Sequence, residues 1–167
     1  MAKTIKLLLF LGIISGISGI AIGSLNEVLS PVIAANDEKT LKESLNEIFP
    51  DSEYETIDYS DSTVKNVYKV EGKGYIVETK ATGYNNNTAI DILIGFDLDG
   101  TIVAVKTLTQ QETNGYGSKC FEEANIEKNY LNKTMDEDVD MVSGATLTSN
   151  AMKKMIDAAR DVIRSVQ

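Results

Sequence analysis

Apolar residues follow three different rhythms along this chain. From residue 7 to residue 25 they run without a single charge, and Lys3 and Lys6 are the only charged residues before Glu27. At 1.5 Å per residue, such a run crosses most of a hydrocarbon layer about 30 Å thick, so it predicts a transmembrane helix. Leu41, Leu45, Ile48 and Phe49 then recur at helical spacing. Asn36-Asp37-Glu38 offers that second helix a start with acids near its positive end, and Pro50 stops it. Residues 51–62 are acidic and polar and read as a linker.

Between residues 64 and 109 the rhythm changes to that of strands. Segments 64–70, 75–82, 88–96 and 101–109 are rich in Val, Ile, Thr and Tyr. Gly72-Lys73-Gly74, Gly83 with Asn85-Asn86-Asn87, and Asp97-Leu98-Asp99-Gly100 lie between them and supply turn chemistry, which predicts an antiparallel meander. Residues 110–119 form a polar, glycine-containing loop, 121–131 a short helix, and 136–140 an acidic stretch. From Asn150 onward Met152, Met155, Ile156, Ala159, Val162, Ile163 and Val166 mark one face of an amphipathic helix that packs on the sheet. The expected class is α+β: an N-terminal transmembrane helix, then a small extracytosolic domain with a β-meander packed with helices. The expected division is 1–30 as anchor, 31–62 as helix and acidic linker, and 63–167 as the functional domain.

The N-terminal segment has a competing reading as a cleaved signal peptide, because Val32-Ile33-Ala34-Ala35 weakly resembles a cleavage site. Retention is favoured: the apolar run exceeds a signal core and Pro31 separates it from that site. Lys3 and Lys6 then hold the N-terminus in the cytoplasm and put the rest outside a single-pass cell-membrane anchor. Gly12, Gly16, Gly19 and Gly23 form two G-x-x-x-G pairs, which either admit a partner helix or reflect the ordinary glycine content of membrane helices.

Charge and composition narrow the chemistry. After Lys6 the chain holds 14 basic residues against 25 acidic ones, a balance that repels phosphate backbones and argues against nucleic acid as a partner. Histidine is absent and Cys120 is the single cysteine. Neither a His/Cys metal site nor a Ser/His/Asp or Cys/His catalytic set can be assembled. Cys120 reads as a small semi-buried residue at a helix start.

One cluster stands out. Ser143-Gly144-Ala145-Thr146-Leu147-Thr148-Ser149-Asn150 gathers hydroxyls and free backbone N–H groups just before the final helix, an arrangement suited to an anion. By itself it also fits an ordinary helix cap formed by Thr148, Ser149 or Asn150.

Asp140-Met141-Val142-Ser143-Gly144-Ala145-Thr146 resembles the flavinylation motif of FMN-binding domains. The resemblance implies that a flavin transferase joins FMN, taken from FAD, to Thr146 as a phosphoester, with Thr148 as the fallback acceptor. It gives Ser143, Gly144 and Ala145 a place at the cofactor, and Asp140 and Ser143 a part in transferase recognition. Gln111-Glu112-Thr113-Asn114-Gly115-Tyr116-Gly117 resembles the E-T-P-G-L-G loop of the flavin-carrying G component of Rnf electron-transport complexes, and of the related C component of sodium-pumping quinone reductases. Asn114 stands in place of Pro and Tyr116 in place of Leu. The resemblance puts Glu112 and Thr113 beside the cofactor, with Tyr116 able to lie against a flavin ring. The alternative for this loop is a plain connection between strand and helix.

The function expected from this resemblance is an electron-transfer subunit of a membrane-bound, Rnf-type ion-translocating oxidoreductase. It would carry covalent FMN among other membrane subunits and perform no stand-alone catalysis. A free-standing membrane-anchored flavoprotein of an extracytosolic electron-transfer chain is the alternative. Two further classes are an adhesion or binding domain whose hydroxyl cluster only caps a helix, and a small flavin reductase, for which no acid, base or nicotinamide fingerprint is present.

Overall fold

A computed structural model describes residues 2–59 and 61–166. The chain divides into two compact units, residues 1–40 and 41–167. The first consists of helix α1 (Ala2–Ile48) as far as Thr40. Its Leu, Ile, Val and Phe side chains point outward all round, Leu7, Ile20 and Val28 among them at 71%, 72% and 67% exposure. Within this helix lies a segment long and apolar enough to cross a membrane.

The expected separate helix starting at Asn36 is the continuation of α1, which passes through Pro31 without ending. A proline inside a helix forfeits one backbone hydrogen bond, and the helix nonetheless continues past it to Ile48.

The second unit is built on a five-stranded antiparallel sheet in the order β1-β2-β3-β4-β5. Its strands are β1 (Tyr54–Ile57), β2 (Val64–Val70), β3 (Gly74–Ala81), β4 (Ile90–Asp97) and β5 (Ile102–Thr109). The four expected strands lie within two residues of their expected ends. β1 falls inside the stretch expected to be linker, pairing Tyr54 with Val70 and Ile57 with Val67. It is short and half exposed and carries a glutamate, as an edge strand does, so it has no apolar run to announce it.

Both faces of the sheet are covered. On one, Leu45, Tyr68, Val70, Ile76 and Leu93 pack with Leu41, Ile48 and Phe49 from the last turns of α1 and just beyond. On the other, Val77, Ile92, Ile94 and Phe96 meet Met152, Met155, Ile156, Ala159 and Ile163 of the final helix. This double cover explains why β3 and β4 are buried almost continuously along their length.

Between sheet and final helix lie a 3₁₀ turn (Gly117–Phe121) and a short helix α2 (Glu123–Asn129), in place of the single helix expected over 121–131. The final helix α3 spans Thr146–Val166 and starts four residues earlier than its apolar periodicity indicates. Its first turn is therefore made from the hydroxyl cluster itself.

Candidate functional site

Three segments meet at the start of α3: the loop between β3 and β4, the loop after β5, and the first turn of the helix. They are joined by one carboxylate. Glu112, 9% exposed, accepts the Thr148 hydroxyl at 2.6 Å and the Tyr84 N–H at 3.1 Å on Oε2, and the Asn85 N–H at 3.1 Å on Oε1. Asn85 Nδ2 donates to the Gln111 carbonyl at 2.7 Å, and the Glu112 N–H donates to Gln110 Oε1 at 2.8 Å. A buried carboxylate is costly unless its lone pairs are filled, and three donors fill these. Gly117 completes the fit, since a Cβ there would collide with the Glu112 carboxylate and with the Thr148 hydroxyl.

The turn leading into α3 is held from beneath. Buried Ser149 accepts the Val142 N–H at 3.0 Å and lies 3.5 Å from Cys120 Sγ. The Ala145 N–H donates to the Val142 carbonyl at 3.1 Å, and the Ser149 N–H closes the first helical bond on Ala145 at 2.8 Å. Between them Gly144 adopts φ +80, a left-handed conformation that favours glycine. Cys120 is fully buried. Burial pushes its thiol pKa up, and burial beside Cys120 does the same to the Tyr130 hydroxyl.

The outer surface of the same turn is open. Ser143, Gly144 and Thr146 are exposed, whereas Ala145, Thr148 and Ser149 are buried. The two threonines of the cluster thus differ completely: Thr148 spends its hydroxyl on Glu112, while Thr146 stands at the surface. Lys119 brings its ammonium to 3.7 Å from where a Gly144 Cβ would stand. It has no carboxylate partner among the described residues. An ammonium, an exposed threonine and the positive end of a 21-residue helix form a surface that suits a phosphate monoester or diester.

The remaining expected site residues lie further out. Thr113 is exposed, and its carbonyl accepts the N–H groups of Tyr116 at 3.1 Å and Ser118 at 3.4 Å. Asp140 is exposed and pairs with Lys133 at 3.1 Å. Sequence reasoning missed Lys119, one lysine in a polar loop, and Tyr84, whose backbone N–H meets Glu112 across 28 residues of chain.

Residues 83–161, the span containing all of these contacts, match the family model of the FMN-binding domain. This part of the chain is a domain of the FMN-binding family. The chain is also similar to the G component of ion-translocating oxidoreductase complexes from three bacteria. The Shewanella amazonensis protein is 35% identical over 95 residues, covering 48% of this chain and 43% of that protein. The Cereibacter sphaeroides protein is 28% identical over 121 residues, 66% of this chain and 55% of its own length. The Vibrio atlanticus protein is 28% identical over 111 residues, with shares of 56% and 52%. The chain spans about half the length of these curated relatives. In the FMN-binding domain, the Glu112–Thr148 bond ties the loop after β5 to the helix that begins at the motif threonine.

Proposed function

We propose that this chain is a membrane-anchored electron-transfer subunit that carries FMN as a phosphoester on Thr146, within a redox complex of the kind to which its ion-translocating oxidoreductase relatives belong. The observation that carries the reading is the contrast between the two threonines: the exposed Thr146 is available for a covalent bond, and the buried Thr148 hydroxyl is engaged by Glu112. When bound, FMN supplies the ability to accept and release electrons.

The chain's own residues supply attachment and position. A flavin transferase acting on FAD would form a bond from Thr146 Oγ to the FMN phosphorus and break the diphosphate bond. AMP leaves and the hydroxyl proton is lost, so FMN minus water is added. Lys119 and the first N–H groups of α3 offset the negative charge of the phosphodiester. Asp140 and Ser143, both exposed, lie on the surface that the transferase would read. The N-terminal apolar helix holds the domain at the membrane, with Lys3 and Lys6 retaining the N-terminus in the cytoplasm and the FMN-binding domain on the outer side. Other membrane subunits of the complex would pack against this anchor.

The test is the intact mass of the full chain expressed with and without a flavin transferase. An increment of FMN less water that is lost in Thr146→Ala and kept in Thr148→Ser is expected. An unmodified wild-type chain in the presence of an active transferase overturns the reading.

A further inference from the structure

The two edges of the sheet are built differently. β1 has four residues and lies among Glu53, Glu55 and Glu71, and shortness and charge are the means by which an edge strand is kept from pairing further. β5 has eight residues and no proline. Only its first residue is covered on the outer side: the Ile102 N–H donates to the Lys133 carbonyl at 3.0 Å, and the Asn132 N–H donates to the Ile102 carbonyl at 2.8 Å. From residue 103 to residue 109, the backbone hydrogen bonds among the described residues all run to β4. Register irregularities at Asp91/Ile92 and Gly95/Phe96 bracket a regular run, Ala104 to Thr107, paired one to one with Gly95 to Ile92. The outer N–H and C=O groups of this run are open.

Alongside it lies a groove of about 720 Å³ between β5 and α2. Val105 and half-buried Phe121, Ile126 and Leu131 line it with apolar surface, and exposed Glu123 and Glu127 add negative charge. Lys106 in the same lining is already paired with Glu47 at 2.7 Å. We infer that β5 is a docking edge that accepts an extended, positively charged segment of another protein as a further strand of the sheet. The open backbone groups bond the segment's main chain, the groove takes its alternate apolar side chains, and Glu123 and Glu127 meet its Lys or Arg. A second copy of this chain is a poor occupant, because the net charge is −9 and a copy brings like charge to an acidic groove. The inference is independent of the acceptor at Thr146. Phe121 ends the 3₁₀ turn that also carries Lys119 and Cys120, so the docking edge is joined to the candidate site through one turn of chain.

The experiment uses the full chain in detergent and a synthetic, end-capped peptide of about ten residues, with Val at alternate positions, Thr between them and Lys near each end. The same peptide with Glu in place of Lys, and the same peptide N-methylated along its backbone, are compared with it. Binding is read by anisotropy of the labelled peptides, and amide exchange is followed in β5 and β1. Saturable binding that slows exchange at residues 104–107 and leaves residues 54–57 unchanged is expected. Affinity should fall roughly tenfold for the Glu peptide and for Glu123→Lys/Glu127→Lys, two exposed positions, and binding should vanish on N-methylation. Unchanged exchange at residues 104–107 under millimolar peptide, equal binding of the N-methylated peptide, or equal affinity of the Glu peptide overturns the inference. Concentration-dependent dimerisation of the chain alone, with slowed exchange at residues 104–107, gives the edge to a second copy and also overturns it.

Discussion

Helices α1 and α3 use apolar residues in opposite ways. Up to Thr40, α1 shows Leu, Ile and Val on every side, none of them buried in the protein. α3 has a single apolar face, and Met152, Met155, Ile156, Ala159, Val162 and Ile163 on it are fully buried. The difference shows where each helix finds its apolar surroundings. α3 finds them in the sheet, and its position there fixes the turn that holds the candidate site. Up to Thr40, the apolar side chains of α1 find none within their own unit, the condition that suits a helix to lipid.

Truncating the buried face of α3 is expected to have the largest effect. Ile156→Ala should destabilise the FMN-binding domain by about 2–5 kcal/mol through lost transfer energy and a residual cavity. Denaturant unfolding measures this, and an effect below about 1 kcal/mol would mean that α3 does not anchor the core. The matching change in α1, Ile17→Arg, should disfavour membrane insertion by about 2.5–3.5 kcal/mol. It should leave the unfolding transition of the sheet-containing unit where it was. Membrane fractionation and a thermal melt on the same preparation separate the two effects.

Titration sharpens the contrast on the side of the folded domain. Burial, reinforced by nearby Glu78, pushes the Tyr68 hydroxyl up to about 12, and burial raises Cys120 above its ordinary value. Both groups are acids whose neutral form is favoured by folding. Their contribution is complete below the unfolded pKa values and is lost as pH rises through the folded ones. Stability should therefore fall between about pH 9 and pH 12, with roughly 2–3 kcal/mol attributable to Tyr68. Tyr68→Phe should flatten the upper part of that decline in a series of urea titrations, and an unchanged slope would contradict the assignment.

Glu112→Gln is a smaller perturbation confined to the start of α3. The amide retains one acceptor oxygen but turns an NH₂ toward backbone N–H donors, so a loss of about 1–3 kcal/mol is expected. Hydrogen exchange should quicken at Tyr84 and Asn85 before it quickens in the central strands. Uniform acceleration throughout the domain would show that Glu112 acts globally instead of pinning two loops.

What was legible in the sequence divides along the same physical line. The β-meander and the body of α3 follow from local periodicity, because each is apolar toward a core that lies on one side. β1 was not legible: an edge strand of four residues with two exposed positions lacks such a rhythm. The early start of α3 was hidden because Thr146, Thr148 and Ser149 are weak helix formers, two of whose hydroxyls are compensated by tertiary contacts, Thr148 by Glu112 and Ser149 by Val142. The motif was visible as a string of residues. The different surroundings of its two threonines depend on a hydrogen bond spanning 36 residues, which no local pattern contains.

Tandem mass spectrometry of tryptic peptide 134–153, from the chain matured with a flavin transferase, puts the assignment of Thr146 to its sharpest trial. Fragment ions should place FMN less water on Thr146, with Ser143, Thr148 and Ser149 unmodified. Flavin on Thr148, or an unmodified peptide from a preparation in which the transferase is active, would contradict that assignment.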